Sequence, residues 1–262
     1  MDGATAADIK SPSVLAKNIC NRRFGVGADG LVLLLPPDKA DIKMRIFNSD
    51  GSEAEMCGNA SRCVALHLFR RKMVNKKQIS LDTLAGIIRT DITDEARGLV
   101  RVDMGVPRLT KGEIPMTGNP AEKAVNFPLT AAGQTFYATA VSMGNPHLVI
   151  FTPDISKVPL AAWGPQLETH TLFPRKTNVE FVQVLDGKTV RMRVWERGAG
   201  ITLACGTGSC ATAAACILNH KTEKNITVKL DGGDLFIEWP DKKNIFMTGL
   251  AQAVFTGDYW GD

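Results

Sequence analysis

Aromatic residues are scarce in this sequence, 6% of 262 residues, and no apolar run approaches the roughly 18 residues that span a bilayer. Charge of one sign is not concentrated either. The 31 basic and 27 acidic residues leave a net +4, too small and too scattered to argue for nucleic acid. The first 15 residues are small and acidic, unlike a secretory signal. No cysteine pair has the C-x2-C spacing of a structural zinc site, and the four histidines do not cluster near any cysteine, so no metal is expected. What is present is ordinary: 44% hydrophobic and 22% charged residues exclude collagen-like and disordered classes. The length suits two domains, each with its own core. The expectation is a cytoplasmic protein with neither nucleic-acid nor membrane partners; a homodimer is left open.

Six cysteines stand out: Cys20, Cys57, Cys63, Cys205, Cys210 and Cys216. A secreted disulfide scaffold would be shorter and denser in cysteine, and a reducing compartment keeps thiols free. Their meaning comes from an internal repeat. Met44-Arg45-Ile46-Phe47 is followed, thirteen residues after Met44, by Cys57-Gly58-Asn59-Ala60-Ser61. Met192-Arg193-Val194-Trp195 is followed, at the same spacing, by Cys205-Gly206-Thr207-Gly208-Ser209, so the two cysteines lie 148 residues apart. Ile79-Ser80-Leu81 echoes Ile226-Thr227-Val228 at an offset of 147, and Val102 to Gly105 echoes Phe246 to Gly249 at 144. Matches in order at a near-constant offset point to two homologous halves, joined between Pro107 and Pro128. The domains expected are 1–107, with 251–262 returning to it, and 108–250.

Each half reads as strand, loop, helix and further strands. Met44 to Asn48 and Val190 to Glu196 are strand-like, Ser49 to Glu53 and Gly198 to Gly200 carry turn chemistry, and Ala60 to Phe69 and Ser209 to Leu218 are helical. The small residues Ala211, Ala213, Ala214 and Ala215 predict a second helix packed closely on most sides. The fold class expected is α+β: two similar domains related by a pseudo-twofold axis, each a mostly antiparallel sheet wrapped around a central helix. The Gly25-Val26-Gly27-Ala28-Asp29-Gly30 run precedes a strand instead of following one, which argues against a dinucleotide-binding loop.

Cys57 and Cys205 each stand before a glycine at a helix start. Unpaired N–H groups and the positive helix end favour anions there, so a thiol pKa below its ordinary value is expected. Cys63, Cys210 and Cys216 lie within the helices and, with Cys20, read as packing residues. Two matched thiols in two halves suit a racemase or epimerase. Such an enzyme removes a proton from one face of a carbon and returns one to the other, and two opposed groups, one thiolate and one thiol, serve both faces. A papain-like Cys-His enzyme would leave the duplication unexplained, and a dithiol redox protein would want closely spaced cysteines.

These residues resemble the diaminopimelate epimerases, which act without pyridoxal phosphate. The resemblance runs almost end to end, through Phe24-Gly25-Val26-Gly27-Ala28-Asp29-Gly30-Leu31, Phe47-Asn48-Ser49-Asp50-Gly51-Ser52, Met56-Cys57-Gly58-Asn59 and Met143-Gly144-Asn145-Pro146-His147. It continues through Thr177-Asn178-Val179-Glu180-Phe181, Glu196-Arg197-Gly198-Ala199-Gly200 and Ala204-Cys205-Gly206-Thr207-Gly208. It implies interconversion of LL- and meso-2,6-diaminopimelate with no cofactor, on the route to lysine and peptidoglycan precursors. By the same resemblance Cys57 and Cys205 match the catalytic pair. Asn48, Asn59, Asn145, Asn178, Glu196 and Arg197 match substrate-contacting positions, and Gly58, Gly206 and Thr207 match the backbone donors to the α-carboxylate. His147 is a contact near the reaction centre or part of a turn with Pro146.

The repeat carries one further expectation. Asn145 lies 60 residues before Cys205, so its first-half counterpart falls ahead of Met1. The family carries a Gly-Asn-Asp element there, and Met1-Asp2-Gly3 reads as the end of that strand. A chain truncated at its start, impaired or inactive, with an unpaired sheet edge, is expected. The rival functions are a cysteine-pair racemase for histidine, proline or hydroxyproline, and a non-catalytic binding member of the fold. Oxidation joining Cys57 to Cys205 is a further expectation, subject to disulfide geometry.

Overall fold

The computed structural model describes residues 9–260. The expected end of a strand at Met1-Asp2-Gly3, and the segment expected before it, lie outside the described residues. Two compact units make up the chain: Met1–Val102 with Leu250–Asp262, and Asp103–Gly249.

The first unit begins with helix α1 (Pro12–Cys20), strands β1 (Gly30–Leu35) and β2 (Ile42–Asn48) and the short β3 (Glu53–Ala54). Helix α2 (Gly58–Arg70) and strands β4 (Gln78–Thr83), β5 (Gly86–Asp94) and β6 (Leu99–Asp103) follow. The order across the sheet is β1-β2-β4-β5-β6, with β3 on β2. Only the β2 and β4 pairing, which spans α2, is parallel; β1 with β2, β4 with β5 and β5 with β6 are antiparallel. Alternation decides which face is buried. Ile79, Leu81 and Thr83 of β4 point inward, and with Met44, Ile46, Ile92 and Val100 they enclose Val64, Ala65 and Leu68 of α2. A smaller cluster seats α1 on the sheet through Ala16, Cys20, Leu31, Leu33 and Phe47.

The second unit opens with strands β7 (Phe127–Ala131), β8 (Gln134–Ser142) and β9 (Pro146–Phe151), then helix α3 (Leu160–Glu168). It continues with β10 (Asn178–Val184), β11 (Thr189–Glu196), β12 (Gly200–Thr202), helix α4 (Gly206–Leu218), β13 (Asn225–Leu230), β14 (Gly233–Glu238) and β15 (Phe246–Leu250). The order is β7-β8-β9-β10-β11-β13-β14-β15, with β12 on β11.

The series β10-β11-β12-α4-β13-β14-β15 repeats β1-β2-β3-α2-β4-β5-β6 element for element. Corresponding pairs run in the same sense: antiparallel, antiparallel, then parallel across the helix, then antiparallel. The architecture is α+β, as the sequence pattern implies. Helix α4 is buried along nine consecutive residues, Gly208 to Cys216, and touches β8, β9, β10, β11, β13 and β14. Small side chains let strands approach it from several sides, while in β11 Val190, Met192 and Val194 turn inward and Arg191 turns to solvent. No helix among the described residues is long and apolar enough to cross a membrane.

Two cysteine expectations separate here. Cys20, Cys210 and Cys216 are buried packing residues, but Cys63 is exposed. Its neighbours Arg62 and Val64 are buried, so the helix turns Cys63 away from the apolar stripe that faces the sheet.

Candidate active site

Both helix starts are built alike. Cys57 caps α2 with φ −142° and ψ 115°, and Cys205 caps α4 with φ −134° and ψ 113°. The serine four residues on explains the repeated C-G-x-x-S. Ser61 Oγ donates to the Cys57 carbonyl at 3.0 Å and Ser209 Oγ to the Cys205 carbonyl at 2.9 Å. Each hydroxyl joins the helical amide on one carbonyl, pinning the cap residue to the first turn. With extended backbone at both caps, the Cys205 thiol takes a first-turn amide, whereas the Cys57 thiol makes no side-chain cap bond.

In the first unit the expected residues group about α2 and the end of β2. Cys57 is half-buried and Gly58 buried. Asn59 Oδ1 is buried and has no hydrogen-bond partner among the described residues. Asn48, at the exposed end of β2, donates to Ser52 Oγ at 2.9 Å.

In the second unit the sulfur of Cys205 accepts from the Gly208 amide at 3.4 Å and lies 3.6 Å from Thr207 Oγ1. Thr207 Oγ1 also accepts from Asn145 Nδ2 at 3.3 Å, and Asn145 Oδ1 lies 3.0 Å from His147 Nε2. His147 is fully buried, and its Nδ1 meets Glu180 Oε1 at 2.7 Å. His147 is therefore in a buried side-chain pair and not simply part of a turn. The parallel register that sets His147 opposite Asn178 makes this possible, because Asn178 and Glu180, two apart on β10, share the face of their β9 neighbour.

The turn after β11 holds Glu196 and Arg197. Asn178 bridges backbones, giving Nδ2 to the Pro146 carbonyl and taking the Arg197 amide on Oδ1, both at 2.9 Å. The exposed Arg197 guanidinium donates to the Arg175 carbonyl at 3.2 Å. Glu196 accepts a short hydrogen bond from Thr202 Oγ1 across the β11–β12 hairpin. Glu168, buried on α3, accepts from Trp195 Nε1 at 2.7 Å and from the Gly198 amide at 3.2 Å, bracing the same turn from beneath. Burial alone would raise the Glu168 carboxyl, but hydrogen bonds from Trp195, Gly198 and Lys176 outweigh it and hold it below its ordinary value.

One expectation is reversed. The start of α4 does not lower the Cys205 thiol; burial, the largest cause, pushes it well above its ordinary value, and the nearby Glu196 carboxylate pushes the same way. The hydrogen bonds from Thr207 and Gly208 oppose this without overcoming it. Cys205 is held as the thiol, the form that gives a proton. Glu180 itself is raised by burial, against the pull of His147.

Glu180, Glu168 and Gly208 were not assigned roles by sequence reasoning. Glu180 had a visible signal, a lone acid within the apolar run Val179-Glu180-Phe181-Val182. A Cβ at Gly208 would lie 2.7 Å from Glu180 Oε1 and 3.2 Å from the Cys205 sulfur, so only glycine leaves room for both. No group of three or more possible metal ligands occurs among the described residues.

A thiol at each of two matched helix starts, on a duplicated α+β scaffold, defines a class of protein. The sequence profile of the diaminopimelate epimerase family matches residues 2–110 and 139–254. The chain is 57% identical to a diaminopimelate epimerase of Pelotomaculum thermopropionicum over 94% of this chain and 88% of that protein. It is 55% identical to that of Carboxydothermus hydrogenoformans over 96% and 90%. The solved structure of a predicted epimerase from Pseudomonas aeruginosa superposes with a TM-score of 0.67 at 15% identity, covering 98% of this chain and 92% of that one, a likeness of fold. The chain belongs to the diaminopimelate epimerase family.

Proposed function

We propose that the chain is an isomerase that interconverts LL- and meso-2,6-diaminopimelate in lysine biosynthesis, with Cys57 and Cys205 as the two acid–base groups. The observation that carries this is the matched pair of C-G-x-x-S helix starts, alike in cap backbone and in the hydroxyl bond to the cap carbonyl. In one direction Cys57, as thiolate, removes the α-proton and becomes the thiol. Cys205 gives its proton to the opposite face of the same carbon and becomes the thiolate. The proton count is unchanged, and the reverse reaction exchanges the roles.

An α-amino acid without a carbonyl cofactor is a weak carbon acid, so the charge developing on its carboxylate must be stabilised. The free N–H groups at the helix starts, including those of Gly58, Gly206 and Thr207, are the donors for that carboxylate. The unpaired Asn59 Oδ1 supports a contact with an ammonium hydrogen of the ligand, since a buried acceptor without a partner costs about 1–3 kcal/mol. Asn48, Asn145, Asn178, Glu196 and Arg197 supply the remaining polar contacts to a substrate with an amino acid group at each end. No cofactor takes part.

The experiment compares α-proton exchange in D2O for LL-diaminopimelate, proline and histidine. Exchange and meso product with diaminopimelate alone are expected. Exchange with proline or histidine instead would assign the chain to a different racemase, and binding without exchange would make it a binding protein.

A further inference from the structure

We propose that Glu180 is a positioning residue: by engaging Nδ1 of His147 it keeps the ring hydrogen on Nε2, which orients the Asn145 amide and, through it, the Thr207 hydroxyl as a donor to the Cys205 sulfur. The proposal rests on Cys205 being one of the two reacting thiols.

The geometry of the chain of contacts dictates its direction. Asn145 Oδ1 only accepts, so the His147 Nε2 that lies 3.0 Å from it carries the hydrogen. Asn145 Nδ2 donates to Thr207 Oγ1 at 3.3 Å, and the hydroxyl hydrogen of Thr207 is then left to point at Cys205 Sγ, 3.6 Å away. Each donor faces the sulfur, and bonds aligned in one direction polarise one another. When Cys205 has given its proton away, the thiolate finds a hydroxyl donor already turned toward it, beside the Gly208 amide at 3.4 Å.

Glu180 starts this chain in its neutral form. Its Oε1 contacts His147 at 2.7 Å, while the buried Oε2 has no partner among the described residues. An ionised carboxylate would leave an anionic oxygen bare in the interior. A carboxylic acid donating to Nδ1 leaves only a carbonyl oxygen unpaired, a far smaller cost. Burial raises the carboxyl toward this form. The residues that surround Glu180 conform to it, since Gly208 leaves space for Oε1 where any Cβ would collide. The titratable groups that face Cys205 are Glu196 from the end of β11 and Glu180 from β10, with His147 of β9 reaching it through the chain described. Glu196 is engaged by Thr202, so the hydroxyl directed at the sulfur comes from Thr207.

Alkylation of Cys205 by iodoacetamide between pH 8 and pH 10, mapped by mass spectrometry, tests this without substrate. Below the thiol midpoint the rate follows the thiolate fraction, so a midpoint about one pH unit higher slows the reaction about tenfold. Glu180→Leu and Thr207→Val should each slow Cys205 alkylation about tenfold at fixed pH. The double variant should be no slower than either, because both break one chain. Glu180→Gln, whose amide N–H can donate to Nδ1 as the acid does, should keep the parent profile. Faster alkylation in Glu180→Gln or Glu180→Leu would mean that Glu180 acts as an anion beside the thiol, and would overturn the proposal. So would additive effects in the double variant, or no change in Thr207→Val. If Glu180→Leu does not fold, Glu180→Gln and Thr207→Val still decide. A wrong assignment of the reaction would show instead as a parent protein without turnover, whatever the alkylation pattern across the variants.

Discussion

Two helix-start thiols with nearly identical backbone have different surroundings, and the difference lies in the side chains beneath them. Cys205 is buried near the half-buried Glu196 and the buried Glu180 and is held as a thiol, whereas Cys57 is half-buried. Replacing either sulfur by oxygen leaves a hydroxyl far too weak an acid to exchange an α-proton. Cys57→Ser and Cys205→Ser should each lower epimerase turnover by about 10²- to 10⁴-fold, with thermal unfolding close to that of the parent. Turnover retained in either single variant would remove that thiol from the reaction. The two cysteines were legible because the repeat places them at matching positions, and the asparagines only through the family resemblance. The Glu180–His147 pair was not. His147 precedes Glu180 by 33 residues, and only the parallel register of β9 on β10 sets both on one face.

At the scale of elements, helix α3 shows how packing sets the position of a functional turn. The Trp195 ring lies against Gly164, where an added Cβ would come within 2.5 Å of it, and the ring nitrogen donates to Glu168 four residues on. Glu168 in turn takes the Gly198 amide, next to Arg197. Gly164→Ala should cost about 1–3 kcal/mol by overpacking, read from denaturant melts. It should also raise KM more than it lowers kcat, because the displaced Trp195 carries the Arg197 turn with it. A stability loss with unchanged KM would separate this brace from the binding of substrate. Helices α2 and α4 and the strands before them followed from residue pattern and turn residues, whereas α1 and α3 were not anticipated. The sequence expectation began α2 at Ala60, whereas the helix starts at Gly58, because the Cys57 cap and the Ser61 hydroxyl make the first turn regular. Periodicity is silent about caps, which depend on backbone hydrogen bonds and not on apolar spacing.

For the whole molecule, the buried thiols link folding to pH. Burial pushes Cys216 up to about 12 from an ordinary 9.0. A raised value means that the folded state prefers the protonated thiol. The stabilisation is complete below about pH 9 and is lost as pH rises through the folded value. Thermal stability should therefore fall progressively from pH 9 toward pH 11, and Cys216→Ala should flatten that fall. A profile equally steep in Cys216→Ala would place the alkaline sensitivity elsewhere. The duplication was visible as a repeated offset of 144 to 148 residues because corresponding loops differ little in length. The three strands that begin the second unit, β7 to β9, have no such echo among the described residues, and no repeat could announce them.

The central claim is that two thiols act on opposite faces of one α-carbon, and product deuteration at early times tests it most directly. LL-diaminopimelate converted in D2O should give meso product carrying one deuterium at the inverted carbon, while the remaining LL substrate stays essentially unlabelled. That pattern arises when one group keeps the abstracted proton and a different one supplies the new hydrogen. Deuterium entering the remaining LL substrate as fast as the product, or product retaining the original α-hydrogen, would contradict the account.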